Sequence, residues 1–486
     1  VTNENKGDIT MKRAMSVVLP LALVVGICSA AAAFDRGVPV YNGDNSQMKI
    51  WGRGQMLGVG QALPDPYADH LRIYEFLREA RMGFNGNYED LFKYQVELAY
   101  GGENQNTNQS KAGGYDLMDF VADVPIRPLG ENTILKIGQF RVPYGRESLG
   151  DEGYTDFADR SIANMVSNQG RDFGLAIMAT KGNFTGTLGT FPGGGRDIAQ
   201  RYLPERFGFP EVVARIGYND GVDEDIYHVM GTDRELKRDT KAIFLNGLYT
   251  MDTRIGHSTS LLSHNVDNNL LVDTNYNPYL QHGDPYNDGV NVSAICSGVS
   301  CTRGHLFNVG TDAVWRHPLG NGRAVEGEIE GNWGGYWNRY GTIHMASARA
   351  QGDYQVGNWE IGARYAVLSI GKNAGYLTAA APGNANMSTV KTKGYSTNAF
   401  DTNTRMGQPI HEITPSITYH FKGHHLKLVA DLPVYINAPL FIDHLDGSYA
   451  MTDPTGTDQV ATMAGAGNNM VRRTYASGRM LFQFQF

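Results

Sequence analysis

The chain ends in RMLFQFQF, residues 479–486, where Met480, Phe482, Phe484 and Phe486 alternate with Arg479, Leu481, Gln483 and Gln485. A period of two with one apolar face is the mark of a β-strand, and it rules out a helix over these residues. Such a strand needs lipid or a packed core on one side and water on the other. In a soluble sandwich the apolar face would pack on a second sheet; in a membrane barrel it would face the bilayer.

The interior repeats the pattern. In 79–86, Ala80, Met82 and Phe84 oppose Glu79, Arg81 and Asn85, and in 324–333, Val325, Ile329 and Trp333 oppose Glu326, Glu328, Glu330 and Asn332. In 359–367, Trp359, Ile361, Tyr365 and Val367 oppose Glu360 and Arg364, and 413–421 sets Ile413, Ile417, Tyr419 and Phe421 against Thr414, Ser416, Thr418 and His420. Individually weak, these segments together read as strands with a lipid-facing side and a polar lumen side, and their terminal aromatics suit interfacial girdles. Mean hydropathy is only -0.34, with 59 Gly against 19 Pro. That average is too polar for a bundle of membrane helices but is what two opposed faces would give. The fold class expected is all-β, a transmembrane antiparallel β-barrel. The alternating aromatic end, Phe482, Phe484 and Phe486, resembles the C-terminal assembly signal of bacterial outer-membrane barrels.

At the other end, Met11-Lys12-Arg13 precedes an apolar run at 17–27 and small residues at 28–33. This is the order of a secretory signal. The run is about half of the roughly 20 residues a spanning helix needs, so cleavage after Ala33 is expected rather than a permanent anchor. Ile27 before Cys28 disfavours lipidation. The chain therefore divides into 1–33, an upstream extension and cleaved signal peptide, and 34–486, a single outer-membrane barrel. The exported part carries 39 Lys+Arg against 48 Asp+Glu, an acidic balance that disfavours a nucleic-acid partner. Cys296 and Cys301 are expected to close a local disulfide; a two-Cys metal site with His305 would need further ligands.

Eighteen candidate strands can be placed, the weakest being 225–232 and 256–264; without those two the count is sixteen. The long gaps 142–171, 265–304, 370–409 and 436–470 all follow odd-numbered candidates, so they share one face of the membrane and favour eighteen. By this count 142–171 is the third external connection.

GRGQ (52–55), LREARMGFNG (77–86), KYQVELAYGG (93–102), GQFRVPYGRESL (138–149), DRS (159–161) and GRDFG (170–174) stand in the order seen in the phosphate-selective porin family of Gram-negative outer membranes. The resemblance covers roughly residues 48–180 and the terminal strand. It implies a homotrimeric porin of sixteen strands, partnered by outer-membrane lipid, lipopolysaccharide and the barrel assembly machinery, passing small hydrophilic solutes or ions. It also implies a third external loop folded into the lumen. Here that loop carries Glu147, Asp151, Glu152, Asp156 and Asp159 beside Arg146 and Arg160. Facing it, Arg53, Arg81, Arg215, Arg349, Arg364 and Lys427 have the polar parity of their strands. Acidic loop against basic wall would create a transverse field at a constriction. The alternative for each pair is plain mutual neutralisation.

Selectivity stays open between an anion or phosphate preference, implied by the family, and mixed or cation-leaning passage. The second external loop, 102–114, offers Lys111 alone as a cation, while Glu326, Glu328 and Glu330 share one inner stripe that would repel anions. No phosphate loop, HExxH or GxSxG occurs, so neither an enzyme, a cofactor nor a metal is expected. The alternative function is a surface-displayed receptor or adhesin, or the partner barrel of a larger outer-membrane complex.

Overall fold

The computed structural model describes residues 37–43, 45–62, 71–100, 116–130, 132–167, 170–191, 209–220, 238–252, 304–338, 341–370, 409–441 and 470–486. The expected signal segment 1–33, Lys111 and the Cys296–Cys301 pair lie outside the described residues. The strands are β1 (Val38–Asn42), β2 (Ser46–Ala62), β3 (Leu71–Tyr88), β4 (Phe92–Tyr100), β5 (Asp116–Pro125) and β6 (Thr133–Arg141). Then come β7 (Arg171–Lys181), β8 (Phe184–Phe191), β9 (Phe209–Asn219), β10 (Thr240–Asp252), β11 (Gly304–Gly320) and β12 (Arg323–Asn338). The last six are β13 (Gly341–Val356), β14 (Trp359–Ile370), β15 (Ile410–Lys422), β16 (Leu426–Asp431), β17 (Val434–Phe441) and β18 (Met470–Gln485).

From β2 to β16 each strand pairs antiparallel with the next, and β18 returns to β2, which closes the sheet and leaves no open edge. β16 and β17 are two halves of one wall strand, since both pair with β15 and both with β18. The break falls at Leu432-Pro433, because proline has no N–H to give to a ladder. Leu432 N still donates to the Pro415 carbonyl (3.1 Å) and Ser477 N to the Pro433 carbonyl (2.9 Å), so pairing carries across it. β1 is the other extra strand. It lies on β2 below the point where β18 ends, covering the edge that the chain terminus leaves.

The barrel is thus a closed, sixteen-stranded wall with two extra strand segments. Candidates 225–232 and 256–264 lie outside the described residues, and the wall has no place for them: β9 pairs directly with β10, and β10 with β11. Loop parity overcounted because two weak alternations in connecting segments add a pair without disturbing which gaps fall on which face.

Along β14 the alternation is complete, with Trp359, Ile361, Ala363 and Tyr365 exposed and Glu360, Gly362, Arg364 and Ala366 buried. Aromatic pairs gather near the short-turn end, including Phe184–Tyr218 with centroids 5.8 Å apart and Trp359–Tyr419 at 4.7 Å. Those turns are tight; Gly320-Asn321-Gly322 has φ of +74°, +54° and +68° in succession, a left-handed run that glycine tolerates and asparagine accepts.

Candidate transport constriction

Between β6 and β7, the described residues 142–167 and 170 fold into the barrel. The neck of this loop is tied by Val142 N donating to the Gly170 carbonyl at 3.0 Å. Gly145 has φ +72°, and a Cβ there would stand 2.8 Å from both the Glu330 carboxylate and Ser167, so only glycine lets the chain turn inward this close to the wall. Two short helical turns, Arg146–Leu149 and Asn164–Ser167, and a 3-10 turn, Glu152–Tyr154, follow.

A loop in a lumen must find partners for its own backbone, and here wall side chains provide them. Glu330 accepts from Glu147 N (2.9 Å), Asp431 from Ala158 N (2.9 Å) and Glu412 from Ile162 N (2.8 Å). Lys427 donates to the Thr155 carbonyl (2.6 Å), Gln483 to that of Gly153 (2.8 Å), Arg364 to that of Asp159 (2.9 Å) and Asn308 to that of Val166 (3.2 Å). The loop is therefore stitched to β11, β12, β14, β15, β16 and β18.

Its charges divide between two environments. On the side of β2 and β3, Glu152 meets Arg141, Arg160, Arg81 and Arg53 at 2.7, 2.5, 3.1 and 3.7 Å. Burial alone would raise the Glu152 carboxyl; the guanidiniums of Arg141, Arg160 and Arg81 outweigh it and hold it well below the usual range. Asp151 pairs with Arg53, which also binds Glu79 (2.5 Å), and Asp159 pairs with Arg78 at 3.0 Å. Arg81 continues to Glu97 (3.0 Å) and Arg171 to Asp119 (2.8 Å). Arg53, Arg78, Arg81, Arg141, Arg160 and Arg171 thus face an equal number of carboxylates, Glu79, Glu97, Asp119, Asp151, Glu152 and Asp159, and this half is internally balanced.

Toward β10–β15, Arg146 reaches Asp312 (3.3 Å), which Arg215 also grips through two nitrogens at 2.5 and 2.9 Å while stacking on Phe244. Glu147 accepts from Ser161 N (2.7 Å) and Oγ (2.6 Å) and faces Arg349 and Arg364 at 3.4 and 3.7 Å. Burial opposes its ionisation, but Arg349, Arg364 and Ser161 together hold the Glu147 carboxyl below its ordinary value. Glu326, Glu328 and Glu330 all lie buried inside, yet not as free acids: Arg316 binds Glu326 (2.6 Å), and Arg349 binds Glu328 (2.7 Å) and Glu330 (3.5 Å). Arg364 pairs with Glu412 (2.7 Å) and Lys427 is fully buried against the loop.

Asp156 departs from the pattern of loop acid against wall base. It meets other acids, and burial together with Glu360 and Asp353 pushes its carboxyl well above the usual range.

Several residues of this network escape a parity reading. Arg78 and Glu79 are adjacent yet both buried, because the register shifts between Gln55 and Met56: β2 passes from Gln55↔Glu79 to Met56↔Leu77, leaving Arg78 as the extra residue of a bulge. Consecutive charges in a strand were the available signal, since alternation would send one of them into lipid. Arg141 sits inside the GQFRVPYG motif itself but at the strand end, where parity says little. Asp353 and Glu360 flank a turn, 357–358, more than 190 residues from Asp156.

Residues 65–239 match the family Phosphate-selective porin O and P. The porin-family segment runs from β3 to β9 and contains the whole inserted loop with Arg78, Arg81, Arg141 and Arg171. It supports a passive diffusion channel of an outer membrane, and points to a channel rather than an enzyme. Solved structures similar to the chain include the anion-selective porin from Comamonas acidovorans, 12% identical over 91% of this chain and 100% of that one, with a TM-score of 0.46. In-vitro folded OmpT of Vibrio cholerae, in its trimer form, is 9% identical over 91% and 100%, TM-score 0.46, and OprB of Pseudomonas putida is 10% identical over 91% and 94%, TM-score 0.45. Comparison with curated proteins gives no match.

Proposed function

We propose that this protein is an outer-membrane porin, passing small hydrophilic solutes and ions by diffusion past the inserted loop. The observation that carries the reading is the porin-family segment, which includes the loop and the strands holding its Arg-rich side. Passage is cation-leaning: the arginines around Glu152 are neutralised by their own carboxylates, whereas Asp156, Asp353 and Glu360 crowd together on the other side. The pore-lining and constriction roles fall to Arg53, Arg81, Arg349, Arg364, Lys427 and the loop acids. Export by the segment 1–33, assembly through the terminal strand with the barrel assembly machinery, lipopolysaccharide contact and a homotrimer complete the proposal. Liposome swelling with sugars of increasing size tests it: rates should fall with solute size, and no swelling with any solute would reject a diffusion pore.

One observation favours a second reading. Side chains at the level of the loop are almost wholly buried, Lys427 and Glu412 at 0% and Arg215 at 1% exposure. A barrel this full suits a receptor or the partner of a larger complex, and silence in the swelling experiment would select it.

A further inference from the structure

Asp156 on the inserted loop, Asp353 on β13 and Glu360 on β14 each bring a carboxylate oxygen within 4.8 Å of the other two, and all three residues are buried. A single acid cluster is unremarkable, because carboxylates can share protons. Two further observations concern the carboxylate oxygens themselves. The Oδ1 atoms of Asp156 and Asp353 are buried with no hydrogen-bond partner, although these residues are only 1% and 4% exposed. Gln351 Nε2 makes a long contact with the Oδ2 of each, at 3.5 and 3.4 Å, and Asp156 also hydrogen-bonds Glu360. Room is also provided: Asp353 Oδ1 lies over Gly362, where any Cβ would collide with it. Among the described residues beside the cluster, Lys427 is committed to the Thr155 carbonyl at 2.6 Å, and the His420 ring places Nε2 3.0 Å from Glu360.

We propose that Asp156, Asp353 and Glu360 bind one calcium ion, which pins the tip of the inserted loop to the β13–β14 wall. An all-oxygen, carboxylate donor set selects a hard divalent cation. Calcium suits the site better than magnesium because it accepts irregular, carboxylate-rich coordination, whereas Mg²⁺ demands near-ideal octahedral geometry and keeps several of its waters. The ion would also compensate charges whose burial without a partner is costly. This inference rests on the placement of the loop and not on whether the barrel conducts.

The test uses the full chain, folded in nonionic detergent without lipopolysaccharide and washed with EDTA, then titrated calorimetrically with Ca²⁺ alone at pH 7. One saturable ion per chain is expected. D156N and D353N should each weaken binding at least tenfold, and G362A, which keeps all three carboxylates but fills their space, should do the same. E89Q, on an exposed turn, should leave binding as it was. Each variant is first checked for heat-modifiable migration on gels, and the three independent positions keep the question answerable if one fails to fold. Absence of calcium uptake, meaning carboxylates that only share protons, would overturn the proposal. So would uptake unchanged in D353N and G362A, which would place the ion on the outer loops.

Discussion

Arg141 holds both carboxylate oxygens of Glu152 with one guanidinium nitrogen, each at 2.7 Å, while its other nitrogen donates to the Ser148 and Gly150 carbonyls at 2.6 and 3.0 Å. One side chain at the end of β6 thereby fixes the direction in which the loop leaves the strand. Glu152 is in turn the hub of four arginines. Glu152→Gln would leave these buried cations without their shared anion, a change expected to cost about 3 kcal/mol. Denaturant unfolding in detergent should show that loss, and single-channel traces should become noisier as the loop loosens. An unchanged midpoint would mean that the arginines are satisfied elsewhere.

Acid should release the same anchor. Glu152 and Glu147 both titrate below their ordinary value of 4.5 in the folded barrel, so the unfolded chain binds their protons first. Their contribution to stability is present above about pH 4.5 and is lost as pH falls through their folded values. Thermal unfolding followed from pH 7 to pH 3 should show a fall that begins below about pH 4.5 and is smaller in E152Q. Equal acid sensitivity of E152Q and the parent would contradict it.

Gly145→Ala tests the inward turn. The backbone is left-handed there, and the added methyl group would press on Glu330 and Ser167. A cost of about 2 kcal/mol is expected from strain alone, with larger conductance fluctuations, measured by denaturant midpoint and bilayer recording. A neutral outcome would show that the loop turns elsewhere.

On the outer face, the rings of Phe484 and Phe486 lie across Gly54 and Gly52 of β2, closing the seam where the first and last wall strands meet. Alanine at either phenylalanine should cost about 1 kcal/mol as a cross-strand contact is lost and should lower the folded, heat-modifiable fraction recovered from outer membranes. Recovery equal to the parent would remove these rings from any part in assembly.

Much of this was legible in the sequence, for physical reasons. Alternation at Trp359–Tyr365 and at Phe482–Phe486 survives because lipid and lumen demand opposite side chains, and it located fifteen uninterrupted wall strands and the split one. Parity failed where the backbone does. At the Arg78 bulge two neighbours turn the same way, and no reading of alternate positions predicts that. The site was harder. Glu326, Glu328 and Glu330 form a stripe in the sequence, but Arg316 and Arg349 come from neighbouring strands and pair with them. The acids that do gather, Asp156, Asp353 and Glu360, share no motif, because only barrel closure brings the loop tip against β13 and β14.

An open, cation-leaning pore crossed by the inserted loop is the proposed working state of this barrel. Planar bilayer recording in a tenfold KCl gradient tests it most directly. Stepwise openings and a reversal potential on the potassium side of zero are expected, moving toward chloride in a D156N/D353N/E360Q variant. A silent barrel, or a reversal potential on the chloride side in the parent protein, would contradict it.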